Sequence, residues 1–189
     1  MPIHYEPPNS QHKRPQLRAL RHRAPLKWLD ARFIHRPRRY IFQSLAAGVA
    51  LVAILSAEET LTNGTIVVAI ASSVAIVFFV PHSVASSPFR IIGGHLSAIV
   101  AAFCTVGILL LMPDSVAANQ WVIHVMQGSA VALVILFMTI TNTEHAPAAG
   151  TALGLAISVP RDSVIFIVSA AVIISLVRVV LYKRLHNLI

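Results

Sequence analysis

Three histidines stand beside helix-breaking or small residues in an otherwise apolar chain. His82 follows Pro81, His95 follows Gly93-Gly94, and His145 lies in Glu144-His145-Ala146-Pro147. An imidazole has an unperturbed pKa of about 6.5, so each can pass a proton or supply a positive charge near neutral pH. Ser72 and Ser73 in one apolar run, and Gly150 with Thr151 in another, place hydroxyls and small side chains at similar depth. A chain break followed by small residues lets backbone N–H groups and the positive end of a helix face an anion. The expected chemistry is therefore that of a site for a small monovalent anion. Ser72, Ser73 and Thr151 would donate hydrogen bonds to it, helped by backbone N–H groups near Gly150, while His82, His95 and His145 supply the transferable proton or charge. Asn63, Asn142, Arg90, Gly93, Gly94, Glu144 and Pro147 are expected to support that site. Two plainer readings use the same residues: close helix packing by small side chains, and histidines hydrated or bonded to a carbonyl near an interface.

Other chemistries fit less well. The chain has no His-x-x-x-His or Glu-x-x-His pair, so neither a metal nor a cofactor is expected. No Gly-x-Ser-x-Gly elbow is present and an enzyme is not expected. His124, close to Trp121, reads as an interface residue. Cys104 is the single cysteine, which excludes an intramolecular disulfide.

The elements that must hold these residues are membrane helices. Of 189 residues, 56% are hydrophobic and 12% charged, and the mean hydropathy is +0.74, which excludes an ordinary water-soluble globule. Uncharged runs cover 40–57, 61–80, 91–112 and 115–143, each long enough for the roughly 20 residues of a spanning helix. A fifth, 163–182, is interrupted by Arg178, which can snorkel to the headgroups. The segment 145–159 reaches only about 22 Å as a helix, so it is either re-entrant or a short full span. With the N-terminal arm inside and six crossings, Arg90, Lys183 and Arg184 also fall inside and Arg161 lies outside beside Asp162; the positive-inside bias favours six over five.

Ten of the 15 Lys and Arg lie in residues 1–40, against two acids, Glu6 and Asp30. Residues 1–24 have no apolar core of a signal peptide and read as a disordered basic arm. Anionic lipid on the cytoplasmic face suits it, at about 1 kcal/mol per basic residue. A nucleic acid is not expected, since no folded binding motif accompanies the charge. In 25–38, Leu26, Leu29 and Phe33 recur at helical spacing with Trp28 beside them, which predicts an interfacial helix. Residues 39–189 form the transmembrane domain.

Shifting the chain by 79 positions lays Thr60-Leu61-Thr62-Asn63 on Thr139-Ile140-Thr141-Asn142, then Ala69 on Ala148, Ala71-Ser72 on Gly150-Thr151, and Pro81 on Pro160, without a gap. Three spans per copy is odd, so the second copy enters from the opposite face. This predicts a 3+3 inverted repeat, 40–112 and 115–184, with the substrate between the second and fifth spans. Two similar hairpins packed as a plain bundle are the alternative.

Pro81-His82-Ser83, Pro88 and Ile92-Gly93-Gly94-His95-Leu96 resemble the Pro-His-Ser and Ile-Gly-Gly-His-Leu signatures of the HPP family of integral membrane proteins. Residues 145–153 resemble that family's naming motif, His-Pro-Pro-Ala-Gly-Ala-Thr-Ala-Leu, at six of nine positions; Ala146 replaces the first proline and the Ala149-Gly150 pair is swapped. Ala71-Ser72 resembles its Gly-Ala-Ser-Ala element, with Ile70 where glycine is expected. The arm lies outside the resemblance. Members have been linked to nitrite transport in plastids and photosynthetic bacteria, although many have no known substrate. The resemblance thus implies a small-anion carrier, and nitrite comes from it alone.

The sequence therefore predicts an all-α membrane protein of about six transmembrane helices, five if 145–159 is re-entrant. Its expected function is transport of a small monovalent anion, with proton linkage. The expected place is the bacterial cytoplasmic (inner) membrane with the N-terminus inside, or alternatively an organelle membrane. A homo-oligomer is expected, with Gly107 or Gly128 on close-packed faces. A non-transporting membrane scaffold, or an anion channel, remains the alternative.

Overall fold

The protein is described by a computed structural model that covers residues 35–56 and 64–188. The basic arm 1–24, nearly all of the expected interfacial helix 25–38, and Asn63 lie outside the described residues. Among the described residues seven α-helices follow one another: α1 Pro37–Ser56, α2 Gly64–Phe79, α3 Pro88–Leu110, the single turn α4 Asp114–Ala117, α5 Gln120–Thr141, α6 Pro147–Leu155 and α7 Arg161–Leu181, with a 3₁₀ turn at Val84–Ser86 before α3. No strand occurs among the described residues. The chain is an all-α membrane protein. Its outer faces are apolar: Leu45, Val49, Phe103, Leu110, Ile140 and Val180 are exposed, as side chains against lipid are. Its interior is built of small residues and Ile/Val, with Ala69, Ala98, Ala101, Ala102, Ala130, Ala148 and Ala152 buried, the composition that lets membrane helices approach closely.

Long-range hydrogen bonds fix the direction of each pass. Gln43 near the start of α1, the end of α2, the start of α3, the end of α5 and the residues after α7 meet at one end of the bundle, here called the near end. There Gln43 bonds Phe78 O and His186 O, Leu188 N bonds Phe79 O, Arg178 reaches Pro81 O, and Arg90 meets Asn142. At the far end Thr105 Oγ1, late in α3, bonds Ala156 O, just past α6. The directions therefore alternate through α1, α2, α3, α5, α6 and α7, which is six passes with opposite sense in α1 and α5, α2 and α6, and α3 and α7. This is the order that an inverted repeat needs.

The passes are unequal. Among the described residues four helices are long and apolar enough to cross a membrane, whereas α2 has 16 residues. At nine residues α6 rises only about 14 Å. Residues 156–160 complete that pass without helix. Segment 145–159 is thus not one continuous helix but a half-helix with an irregular end, its Ala156 carbonyl satisfied by Thr105. Gly150 and Gly154 let α6 lie against α2: a Cβ on them would stand 3.1 Å from Ala69 Cβ and 2.9 Å from Ile66 Cγ1. By contrast, Gly107 and Gly128, expected on close-packed faces, have nothing within 4 Å in this chain.

The near end is closed by the residues after α7. Helix α2 stops before Pro81, leaving carbonyls that need donors from elsewhere. Phe78 O takes Gln43 Nε2 at 2.8 Å, Phe79 O takes Leu188 N at 2.9 Å, Val80 O takes Ser86 Oγ at 2.8 Å and Pro81 O takes Arg178 Nε at 3.2 Å. Gln43, 1% exposed, also exchanges two bonds with the His186 backbone, at 2.9 and 3.0 Å. Gln43→Leu removes all three bonds and leaves buried backbone groups without partners, at about 1–3 kcal/mol each. Limited trypsin digestion in detergent should then cut after Lys183 and Arg184 markedly faster than in the native chain. Equal cleavage rates would show that the amide does not hold this segment.

Candidate functional site

Four side chains from four places in the chain form one buried string. Ser73 comes from the middle of α2, His95 from the second turn of α3, His145 from the residue pair before α6, and Thr151 from α6 itself. Exposure is 0% for Ser73, His145 and Thr151 and 1% for His95. The distances are short throughout: Thr151 Oγ1 to His95 Nδ1 2.9 Å, His95 Nε2 to Ser73 Oγ 3.0 Å, Ser73 Oγ to His145 Nε2 3.0 Å, and His145 Nδ1 to Ala85 O 3.1 Å. The two rings are 5.4 Å apart at 62°.

The Ala85 carbonyl sets the direction of every bond. A carbonyl only accepts, so His145 Nδ1 carries a hydrogen; with the ring neutral, Nε2 must accept. Ser73 then donates to His145 Nε2 and accepts from His95 Nε2–H, and Thr151 donates to His95 Nδ1. With both rings neutral, every polar atom of the string is satisfied. Ser73 has a second acceptor within reach, Ala69 O at 3.0 Å on its own helix. If His145 gains a proton on Nε2, Ser73 can turn its hydrogen to Ala69 O and accept from the imidazolium. One hydroxyl thus serves both protonation states by rotation alone.

Two glycines make this assembly sterically feasible. The chain from α5 to α6 crosses the first turns of α3 at Gly93 and Gly94. A Cβ at Gly93 would sit 2.4 Å from Thr143 Cγ2, and one at Gly94 2.7 Å from His145 Cβ and 3.1 Å from Thr143 O. Asn142 ends α5 in the left-handed conformation at φ 56°, and Thr143 N bonds Met138 O at 2.9 Å, a Schellman-type stop that turns the chain toward α3. Pro147 then starts α6 at a position where its missing N–H costs nothing. Outside the crossing, Arg90 forms an ion pair with Glu144 and donates to Asn142 Oδ1 at 2.7 Å.

Other expected residues are placed elsewhere. Ser72 is half-buried and bonds Val68 O of its own helix at 2.8 Å, because adjacent helical positions point about 100° apart. His82 is exposed; its Nε2 donates to Leu185 O at 3.1 Å and its ring meets Tyr182 edge-on at 4.6 Å, so it ties down the residues after α7. Gly150 acts through packing on Ala69. The first-turn N–H groups of Ala148 and Ala149 are already bonded to His145 O and Ala146 O, at 2.9 and 3.1 Å, rather than aimed at a ligand. Ala85 was not anticipated: a backbone carbonyl carries no sequence signal. Among the described residues no group of three His, Cys, Asp or Glu is close enough to hold a metal.

The family model described as HPP, transmembrane region, matches residues 34–188. The chain belongs to the HPP family. No curated protein and no solved structure matches it. In this HPP chain the signature segments have distinct mechanical tasks. Pro81-His82-Ser83 ends α2 and anchors residues 185–187, Gly93-Gly94-His95 supplies the crossing and the inner histidine, and the stretch resembling the HPP naming motif supplies His145 and Thr151. Ala146, where that motif has its first proline, has φ −50°. That value lies within the range proline imposes, so the departure keeps the backbone turn.

Proposed function

We propose that this HPP protein carries a small monovalent anion across the membrane together with a proton, as a transporter rather than an enzyme. The observation that carries the reading is the buried string His145–Ser73–His95–Thr151. Polar residues among the buried described ones are Gln43, Ser73, Ser86, His95, Thr105, Thr143, His145, Thr151, Ser163 and Ser175; no carboxylate is among them. A proton taken up by the string therefore has no buried counter-charge, and an unpaired charge at this depth is costly. A small anion beside the imidazolium cancels it. Proton and anion then travel as a neutral pair, with Ser73 and Thr151 as hydroxyl donors once the rings have changed state. The family resemblance points to nitrite as the anion. Arg90, Arg178, Lys183 and Arg184 lie toward the near end and Arg161 beside Asp162 toward the other, which supports a cytoplasmic near end.

Purified protein in liposomes, with internal and external pH set separately, tests this. Nitrite uptake should saturate, rise with an inward proton gradient, and compete with formate more than with chloride. His145→Gln, which keeps a polar side chain but cannot take up a proton, should remove the pH dependence. A folded protein that moves none of nitrite, formate, nitrate or chloride would overturn the transporter reading in favour of a scaffold.

A further inference from the structure

The near-end ion pair holds the chain that carries His145. Arg90, in the first turn of α3, pairs with Glu144 and bonds Asn142, so it grips both residues on either side of Thr143 and fastens 142–146 against Gly93 and Gly94. The chain neighbours of His145, Glu144 and Ala146, are both exposed, while His145 itself is 0% exposed. The pair is easily displaced, since the Arg90 side chain is 19% and the Glu144 side chain 48% exposed, and ion pairs in contact with water contribute little net energy. The hinge is at hand too, because Asn142 is the one non-glycine residue with positive φ among those described, and Pro147 fixes the other end of the segment.

We propose that Arg90 is an anion-recruiting site that Glu144 occupies as a tethered carboxylate when no substrate is present. A free small anion, carrying the same charge as that carboxylate, displaces Glu144 from the guanidinium. Loss of the clamp lets 142–146 lift from α3 and opens a path to His145, the end of the string that this segment carries. Arg90 is thus a recruiting and positioning residue: it meets the anion first and governs access to the histidine that would carry its proton. The role in carriage rests on the transporter reading, but the binding and opening steps do not.

The test is labelling of His145 by diethyl pyrocarbonate, followed by mass spectrometry on the purified full chain at constant pH and ionic strength, with His82 and His124 as internal references. In the native chain labelling of His145 should be slow, reporting brief openings, and sodium nitrite should accelerate it against a gluconate control. Glu144→Gln should raise the rate about fivefold without nitrite, the order set by loss of one partly exposed ion pair. Arg90→Ala should raise it similarly and abolish the nitrite response. The reciprocal exchange of Arg90→Glu with Glu144→Arg should restore slow labelling, which a merely disrupted fold would not. Native-like protection in Glu144→Gln and Arg90→Ala, or no nitrite response in the native chain, overturns the proposal whatever the uptake assay gives. Gated labelling in a protein that transports nothing would keep the anion gate and discard only the carrier reading.

Discussion

Ser73→Ala is expected to reduce proton-driven uptake by about tenfold to a hundredfold, the range that a positioned proton-transfer group commonly contributes. The loss follows from where the hydroxyl stands. Ser73 Oγ is 3.0 Å from each of His95 Nε2 and His145 Nε2, and it alone bridges the rings, whose centroids are 5.4 Å apart. Without it one ring keeps an N–H with no acceptor and the other a lone pair with no donor, at about 1–3 kcal/mol each. The thermal midpoint should fall as well, so the uptake rate must be normalised to folded protein. Ser73→Cys separates the two effects: it is close in size and keeps a weak donor, and should recover much of the stability but only part of the coupling. Full proton-driven uptake by well-folded Ser73→Ala would remove Ser73 from the pathway.

Gly94→Ala should be far more damaging than the same added methyl at Gly107, further along α3. Its Cβ would lie 2.7 Å from His145 Cβ and 3.1 Å from Thr143 O. Neither is the free end of a flexible side chain, so the segment must retreat from α3 as a unit. Overpacking of this kind costs about 1–3 kcal/mol. Retreat also lengthens the two bonds that place His145, to Ser73 Oγ and Ala85 O, so uptake should fall with the thermal midpoint. Gly107→Ala on the same helix is the matched control. Nothing lies within 4 Å of its Cβ, and the better helix propensity of alanine should leave stability unchanged or raise it by up to about 1 kcal/mol. Equal behaviour of the two variants would show that the crossing at Gly94 is loose.

Much of the architecture could be read from charge and hydropathy alone. The uncharged runs 40–57, 61–80, 91–112 and 163–182 differ from α1, α2, α3 and α7 by three residues at most, since a membrane span leaves little freedom in where its charges fall. The 115–143 run divides instead, because Pro113 and Asn119 cap separate starts for α4 and α5. The shift by 79 lays the run of α2 on that of α6, and the two helices run in opposite directions, but the brevity of α6 carries no signal in that pattern; it depends on Thr105 satisfying Ala156 from another helix. In the site, His95, His145 and Thr151 were recognisable by type and by the breaks beside them. Their meeting was not, since 50 residues separate the histidines and only the crossing at Gly93 and Gly94 joins them. Ser72 and Ser73 were indistinguishable in sequence; helix rotation alone decides which faces the rings. His82 looked equivalent to the other two, and what sets it apart is the partner it finds after α7. Gln43 gave no signal, because one amide in an apolar helix reads as incidental until its three backbone partners are known.

Those partners bear on how the molecule is made. Gln43 and His186 are 143 positions apart, so a chain synthesised from its N-terminus inserts its first helix long before the residue that completes it exists. Throughout that interval the amide of Gln43 and the last carbonyls of α2 must be kept wet or held by something else. Contacts of such sequence separation form late and slowly. Closure of the near end therefore reports that all six passes are in place, and a ribosome that stops short of residue 186 leaves a chain with buried polar groups open to whatever inspects membrane proteins for incompleteness.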